Sequence, residues 1–169
     1  MVSFREASVS DDAAHVLLAE YFASRAASFP ADQGVYHTAF PNPADFVEPK
    51  GVFLVVEGED LAGDPADVGC GGIRILPAPP SAAPVTGNPV RYEVKHLWLQ
   101  PHTRGLGYGR LLLAELERRA RALGADELVL DTNVSLAAAG GLYRSSGFVD
   151  IAPYNSNPNA TNWYAKSLR

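Results

Sequence analysis

The chain has 169 residues, 47% of them hydrophobic and 20% charged, with 14 basic against 19 acidic side chains for a formal charge of −5. That length suits a single domain over 1–169 with a core of its own, and the composition lies far from that of disordered chains. The acidic balance argues against a nucleic-acid binder, whose footprint is basic, and leaves room only for local cationic pockets.

The opening Val2-Ser3-Phe4-Arg5 alternates like a short strand and carries no apolar run of signal-peptide length. Ser10-Asp11-Asp12 offers N-cap chemistry and first-turn acids for a helix in which Val16, Leu17, Glu20, Tyr21 and Ser24 follow helical spacing. Residues 30–49 mix prolines with aromatic residues and hold at most one short helix at 44–47. Gly51 to Glu57 is an apolar run of strand length, and Val68 to Ile75 reads as its hairpin partner across a turn at 58–67. The three glycines at 69, 71 and 72 predict a bulge or a close backbone approach in that second strand. Residues 77–89 hold five prolines and read as a loop. Cys70 is the lone cysteine and reads as a small core residue; no disulfide is possible within the chain. The four histidines at 15, 37, 96 and 102 have no metal-ligand spacing, so no metal is expected.

The second half is more regular. A strand at 93–99 precedes a helix at 110–123, where Leu113, Leu116, Ala120 and Leu123 form an apolar stripe and Gly124 supplies a left-handed cap. A buried strand at 128–130, a helix at 135–146 closed by Gly147, and terminal strands at 148–151 and 163–166 follow. This order predicts an α/β (α+β) domain with a central mixed sheet flanked by helices.

Between the strand and the helix stands Arg104-Gly105-Leu106-Gly107-Tyr108-Gly109-Arg110. Alternating glycines let backbone amides converge, and the helix N-terminus adds unpaired N–H groups and partial positive charge, so the turn suits a pyrophosphate. Arg104 and Arg110 add cationic side chains. The spacing fits neither a P-loop, since no G-x-x-x-x-G-K-[ST] occurs, nor a dinucleotide fingerprint, since Arg110 or Leu112 falls where the third glycine belongs.

Glu93 to Pro101 followed by Arg104-Gly105-Leu106-Gly107-Tyr108-Gly109 resembles the acetyl-CoA-binding motif of the GNAT acetyltransferase superfamily. Ala139-Gly140-Gly141-Leu142-Tyr143-Arg144-Ser145-Ser146-Gly147-Phe148 resembles a second segment of that family, A-x-x-L-Y-x-x-x-G-F. The resemblance implies a mostly antiparallel twisted sheet with a splay between the strands at 93–99 and 127–132. It implies acetyl-CoA as cofactor, its pyrophosphate on the amides of Arg104, Gly105, Leu106, Gly107, Tyr108, Gly109 and Arg110, and its pantetheine arm along Leu97, Trp98 and Leu99. Tyr143 matches the tyrosine that protonates the departing thiolate. The base is left between Glu93, which simple alternation places on one strand face with Lys95, Leu97 and Leu99, and Asp131 at the end of the next strand. The family's asparagine seven residues before the tyrosine is Leu136 here, and Asn133 or Ser135 is expected to take over its contact.

The function implied is N-acetylation of a small primary amine by direct transfer in a ternary complex. The alternatives are a protein N-terminal or lysine acetyltransferase, or a non-catalytic acyl-CoA-binding domain. Arg25, Tyr36 and Tyr154 are the expected substrate contacts, with Tyr21, His37 and Trp163 beside them. A cytoplasmic location, no membrane partner and a possible homodimer complete the expectation.

Overall fold

The computed structural model describes residues 1–78 and 87–169. Seven strands, β1 (Ser3–Glu6), β2 (Gly51–Glu59), β3 (Pro65–Ile75), β4 (Arg91–Leu99), β5 (Glu127–Thr132), β6 (Val149–Asp150) and β7 (Asn162–Ser167), form one sheet in the order β1-β2-β3-β4-β5-β7-β6. Every neighbouring pair is antiparallel except β4 with β5. Among the described residues three α-helices, α1 (Asp12–Ser28), α2 (Tyr108–Ala122) and α3 (Ala137–Ser145), flank it. This is the expected mixed, mostly antiparallel α/β architecture.

The apolar run of β2 is explained by burial on both faces. Val52, Leu54 and Val56 join Leu112, Leu113 and Leu116 of α2 in one core, while Phe53 and Val55 alternate to the other side and meet Leu17, Leu18 and Phe22 of α1. The glycines of β3 serve close approach, as their sequence pattern predicts. A Cβ on Gly71 would lie 3.2 Å from Leu112 and 3.3 Å from Leu116, and one on Gly72 would come within 2.8 Å of the Phe46 ring. Helix α2 therefore packs nearly against bare backbone, where truncating a leucine such as Leu112 costs about 2–5 kcal/mol.

Several boundaries differ from the sequence reading. The hairpin turn shrinks from 58–67 to five residues because the Asp60 carboxylate accepts the amides of Ala62 (2.8 Å) and Asp64 (3.0 Å), and the strands extend to meet it. Asp11 does not cap α1 with its side chain; its carboxylate turns back to accept the Ser8 amide at 3.1 Å. Helix α2 begins two residues earlier than expected, α3 begins at Ala137 rather than 135, and β6 is only two residues long. The short helix expected at 44–47 is a 3-10 turn at Pro43–Phe46. Most of the expected loop at 77–89 falls on 79–86, outside the described residues. Among those described, no helix is long and apolar enough to cross a membrane.

Candidate active site

Two irregularities of β4 open the sheet. First, β4 and β5 pair in parallel only at Arg91–Glu127, Tyr92–Leu128 and Glu93–Val129, although both strands continue beyond. Their hydrogen-bonding edges part from residue 94 onward, which is the expected splay. Second, the register against β3 slips: Gly72 faces Lys95 but Cys70 faces Trp98, so His96 and Leu97 together oppose Gly71. His96 carries this bulge with φ of 57°, the left-handed region that non-glycine residues rarely occupy.

The bulge inverts side-chain parity. Tyr92 and Val94 belong to the α2-side core, and so do Leu97 and Leu99, whereas Trp98 packs on the α1 side. Unbroken alternation had grouped Glu93 and Lys95 with Leu97 and Leu99; the extra residue places them on opposite faces. The His96 ring sits among Tyr21, Phe22 and Phe46 with centroids 5.5–6.0 Å away. Burial pushes its imidazole down to about 3, so it is neutral at neutral pH.

Beyond β4 the chain turns through the glycine segment. Gly105 and Gly107 have φ of 79° and 84°, and a Cβ at either would meet nothing within 4 Å, so conformation rather than space requires glycine. Gly107 begins α2 with no side-chain cap, which leaves first-turn N–H groups pointing outward. Residues 104–107 and Arg110 are exposed, while Tyr108 and Gly109 are half-buried. Arg104 braces this corner: its Nε donates to the Leu99 carbonyl at 3.1 Å and its guanidinium stands 5.0 Å from the Trp98 ring. Trp98 in turn donates from Nε1 to Glu20 at 3.1 Å.

The splay opens into a cleft of about 700 Å³ whose walls include Tyr21, Arg25, Tyr36, Lys95, Leu97, Asp131 and Tyr143. Of the residues expected to matter, Arg25, Tyr36, Tyr21, His37, Leu97, Asp131 and Tyr143 meet here. Tyr143 is 7% exposed, packs its ring 6.0 Å from those of Phe148 and Tyr164, and makes no hydrogen bond among the described residues. Burial pushes its phenol up to about 12, keeping the proton in place at any physiological pH.

The two candidate carboxylates differ sharply. Glu93 is 1% exposed and absent from the cleft wall. It accepts from Tyr154 Oη at 2.6 Å and Arg74 Nε at 3.1 Å, with Lys95 Nζ 3.6 Å away. Asp131 borders the cleft and accepts from Asn155 (2.7 Å), Asn157 (3.1 Å) and Lys95 (3.4 Å). Tyr154 and Trp163 do not line the cleft: Tyr154 is spent on Glu93, and Trp163 Nε1 donates to Asn155 at 2.8 Å. Asn133 also differs from its expected part. Buried to 1% exposure, its Nδ2 donates to Gln33 Oε1 (2.7 Å) and to the Asn159 carbonyl (3.1 Å), and its Oδ1 accepts the Ser135 amide (3.0 Å). Both hydrogens of its Nδ2 are thereby used within the chain.

Sequence reasoning missed the asparagines of the tail. The Oδ1 atoms of Asn155 and Asn157 accept the amides two residues on, at 3.3 and 3.0 Å, and Asn159 grips His37 twice, accepting its amide at 2.9 Å and donating to its carbonyl at 2.8 Å. The alternation Asn155, Asn157, Asn159 was the visible signal, since asparagine folds its side chain onto the amide two residues later.

A sheet splayed beside a glycine turn and a bare helix start is the frame of one enzyme family. Residues 15–148 match the model of the acetyltransferase (GNAT) family, and the chain belongs to it. The chain is similar to an uncharacterized N-acetyltransferase of Schizosaccharomyces pombe, 42% identical over 72 residues that make up 43% of this chain and 44% of that protein. It is also similar to the IAA acetyltransferase of Azospirillum brasilense, 45% identical over 62 residues, 37% of this chain and 40% of the relative. The matched stretch thus spans under half of these curated relatives. In fold it resembles a GNAT-family acetyltransferase from Staphylococcus aureus, with a TM-score of 0.71 over 100% of both chains at 16% identity.

Proposed function

We propose that this chain, acting as a single domain over 1–169, transfers an acetyl group from acetyl-CoA to the primary amine of a small molecule by direct transfer in a ternary complex. One observation carries the reading: the cleft at the β4–β5 splay is lined by Tyr143, Asp131, Lys95 and Leu97, and β4, which forms its wall, runs on into the glycine turn and the uncapped start of α2. Family membership favours an acyl-CoA donor, and the open left-handed glycines leave room for a pyrophosphate on the turn amides. Bound acetyl-CoA would supply an acetyl group activated as a thioester.

The reaction forms an amide C–N bond and breaks the thioester C–S bond; the nitrogen releases one proton and the leaving sulfur receives one. Arg104 to Arg110 would hold the phosphates with backbone amides and with the Arg110 guanidinium. Leu97, Trp98 and Leu99 offer backbone groups along the opened edge, where an N–H directed at the acetyl oxygen stabilises developing negative charge. Tyr143 keeps its proton and donates it to the sulfur. Asp131, the carboxylate on the cleft wall, takes the proton of the amine. Glu93 is a positioning residue that ties Tyr154 and Arg74 to β4, and Asn133 positions the segments around Gln33 and Asn159. Asn159 of the tail is joined to His37 by two hydrogen bonds across the cleft wall, which favours an enclosed, small acceptor.

The test is release of free thiol from acetyl-CoA across primary amines, amino acids, polyamines and peptides. Release with small amines is expected. Release with peptides alone would make the protein a peptide acetyltransferase, and tight CoA binding without amine-dependent release would make it a binding module.

A further inference from the structure

Arg25 lies in the last turn of α1, is only 7% exposed, and lines the cleft. Its Nη1 is buried without a hydrogen-bond partner, and no carboxylate of the described residues pairs with it. Its guanidinium carbon stands 5.3 Å from the centroid of the Tyr36 ring, and the phenols of Tyr21 and Tyr36 are the polar groups near its other donors. The other charged side chains of the cleft are committed to one another. Arg74 pairs with Glu93 at 3.0 Å and Asp45 at 3.9 Å, and Lys95 joins Glu93 at 3.6 Å to Asp131 at 3.4 Å. Arg25 alone among them presents an unused charged donor, and buried donors in native proteins are normally satisfied.

We infer that Arg25 receives a carboxylate of the acceptor, so that the amine acetylated in this cleft belongs to a small molecule that also carries a carboxylate, such as an α-amino acid. This rests on the acetyltransferase reading above. The guanidinium fork matches a planar carboxylate, and the Tyr36 ring holds its plane. Asp131, from β5, provides the opposite charge for the ammonium end. Arg25, Asp131 and Tyr143 all line this one cleft. A polyamine would meet Arg25 as a like charge, and an amine with no anionic group would leave its buried N–H unpaired.

The test uses matched pairs: α-amino acids with small and aromatic side chains, and their carboxamides, each with saturating acetyl-CoA. In the wild type the acid should exceed its carboxamide in kcat/KM by about 10- to 100-fold, mostly through KM, as a charge-assisted pair implies. Arg25→Gln should bring the ratio close to one while CoA affinity, measured on the same preparation, stays unchanged. Equal use of acid and carboxamide by the wild type overturns the inference whether or not the variant folds, and so does a preference that survives Arg25→Gln. A second arm needs no turnover. N-acetyl amino acids and their carboxamides are titrated into CoA-loaded protein, where tighter binding of the acid, lost in Arg25→Gln, supports a carboxylate receptor. Equal binding of the two, or binding of neither, overturns it. If no amine is acetylated the enzymatic reading falls, while this second arm still decides the role of Arg25.

Discussion

The glycine turn before α2 and the asparagine-rich tail over the cleft are built from opposite materials. The turn does its work with main chain: two left-handed glycines, a helix without a side-chain cap and a strand edge freed from its neighbour. The tail works with side chains, and its contacts join residues as far apart as His37 and Asn159, 122 positions along the chain. Main-chain recognition depends on a local run of residues and suits a ligand whose phosphates never change. Side-chain recognition, assembled from distant segments, is free to vary with the acceptor. On the proposed reading the donor side of the cleft is therefore short and local in sequence, and the acceptor side is not.

This contrast can be broken experimentally. The largest effect is expected at the junction of the two regions: Tyr143→Phe should lower kcat about 100-fold, the usual worth of a general acid, with CoA affinity unchanged in titration calorimetry. An unaltered kcat would remove the tyrosine from proton delivery. Next, Glu93→Gln should cost about 2 kcal/mol of stability in denaturant unfolding, because Arg74 and Tyr154 lose a buried carboxylate. Its kcat should change little, whereas Asp131→Asn should lower kcat about 100-fold; the reverse result would exchange their roles. Gly107→Ala should weaken CoA binding about 10-fold, since a Cβ at φ of 84° costs about 1–2 kcal/mol, and should leave the acceptor KM alone. Asn159→Ala should do the converse, raising the acceptor KM roughly 5-fold by loosening the His37 clamp, an effect equal to about 1 kcal/mol.

The smallest effect lies away from the cleft and serves as a control. Hydrogen bonds from Arg118, and then from Arg119, lower the Glu115 carboxyl from 4.5 to about 2. A depressed folded-state value stabilises above the unfolded value, so the contribution is complete above about pH 4.5 and disappears as the pH falls toward 2. Glu115→Gln should cost about 0.5–1 kcal/mol at pH 7, and its melting temperature should converge with that of the wild type near pH 2.

Much of the frame could be read from the chain because local physics dictates it. The stripe of Leu113, Leu116 and Ala120, the glycines at 105 and 107 and the β2 run each need only their neighbours in sequence to be interpreted. The glycines at 71 and 72 announced a close approach, which the leucines of α2 and the ring of Phe46 supply. What stayed hidden depended on partners far along the chain. Tyr154 was expected at the substrate and Glu93 as one of two candidate bases, and the bonds that join Tyr154 and Arg74 to Glu93 span 61 and 19 positions of the chain. Asn133 was expected at the cofactor, and its bonds to Gln33 and Asn159 have no signal in the nearby sequence. The face of Leu97 was misjudged because period-two counting has no means of registering an extra residue, and nothing in the local sequence marks His96 as left-handed.

That extra residue has a consequence for how this protein can change. A one-residue deletion at 96 would restore an unbroken ladder with β3 and remove the strained backbone, and in isolation the strand would gain. Residues 97–99 would keep their sides and their partners on β3, since Leu97 would follow Lys95 with the parity it already has, leaving Leu97 and Leu99 with the α2 core and Trp98 with the α1 core. The loss would fall on the aromatic cluster, where the His96 ring sits among Tyr21, Phe22 and Phe46. The irregular opening is thus held by what the extra residue itself packs against rather than by the strand downstream of it.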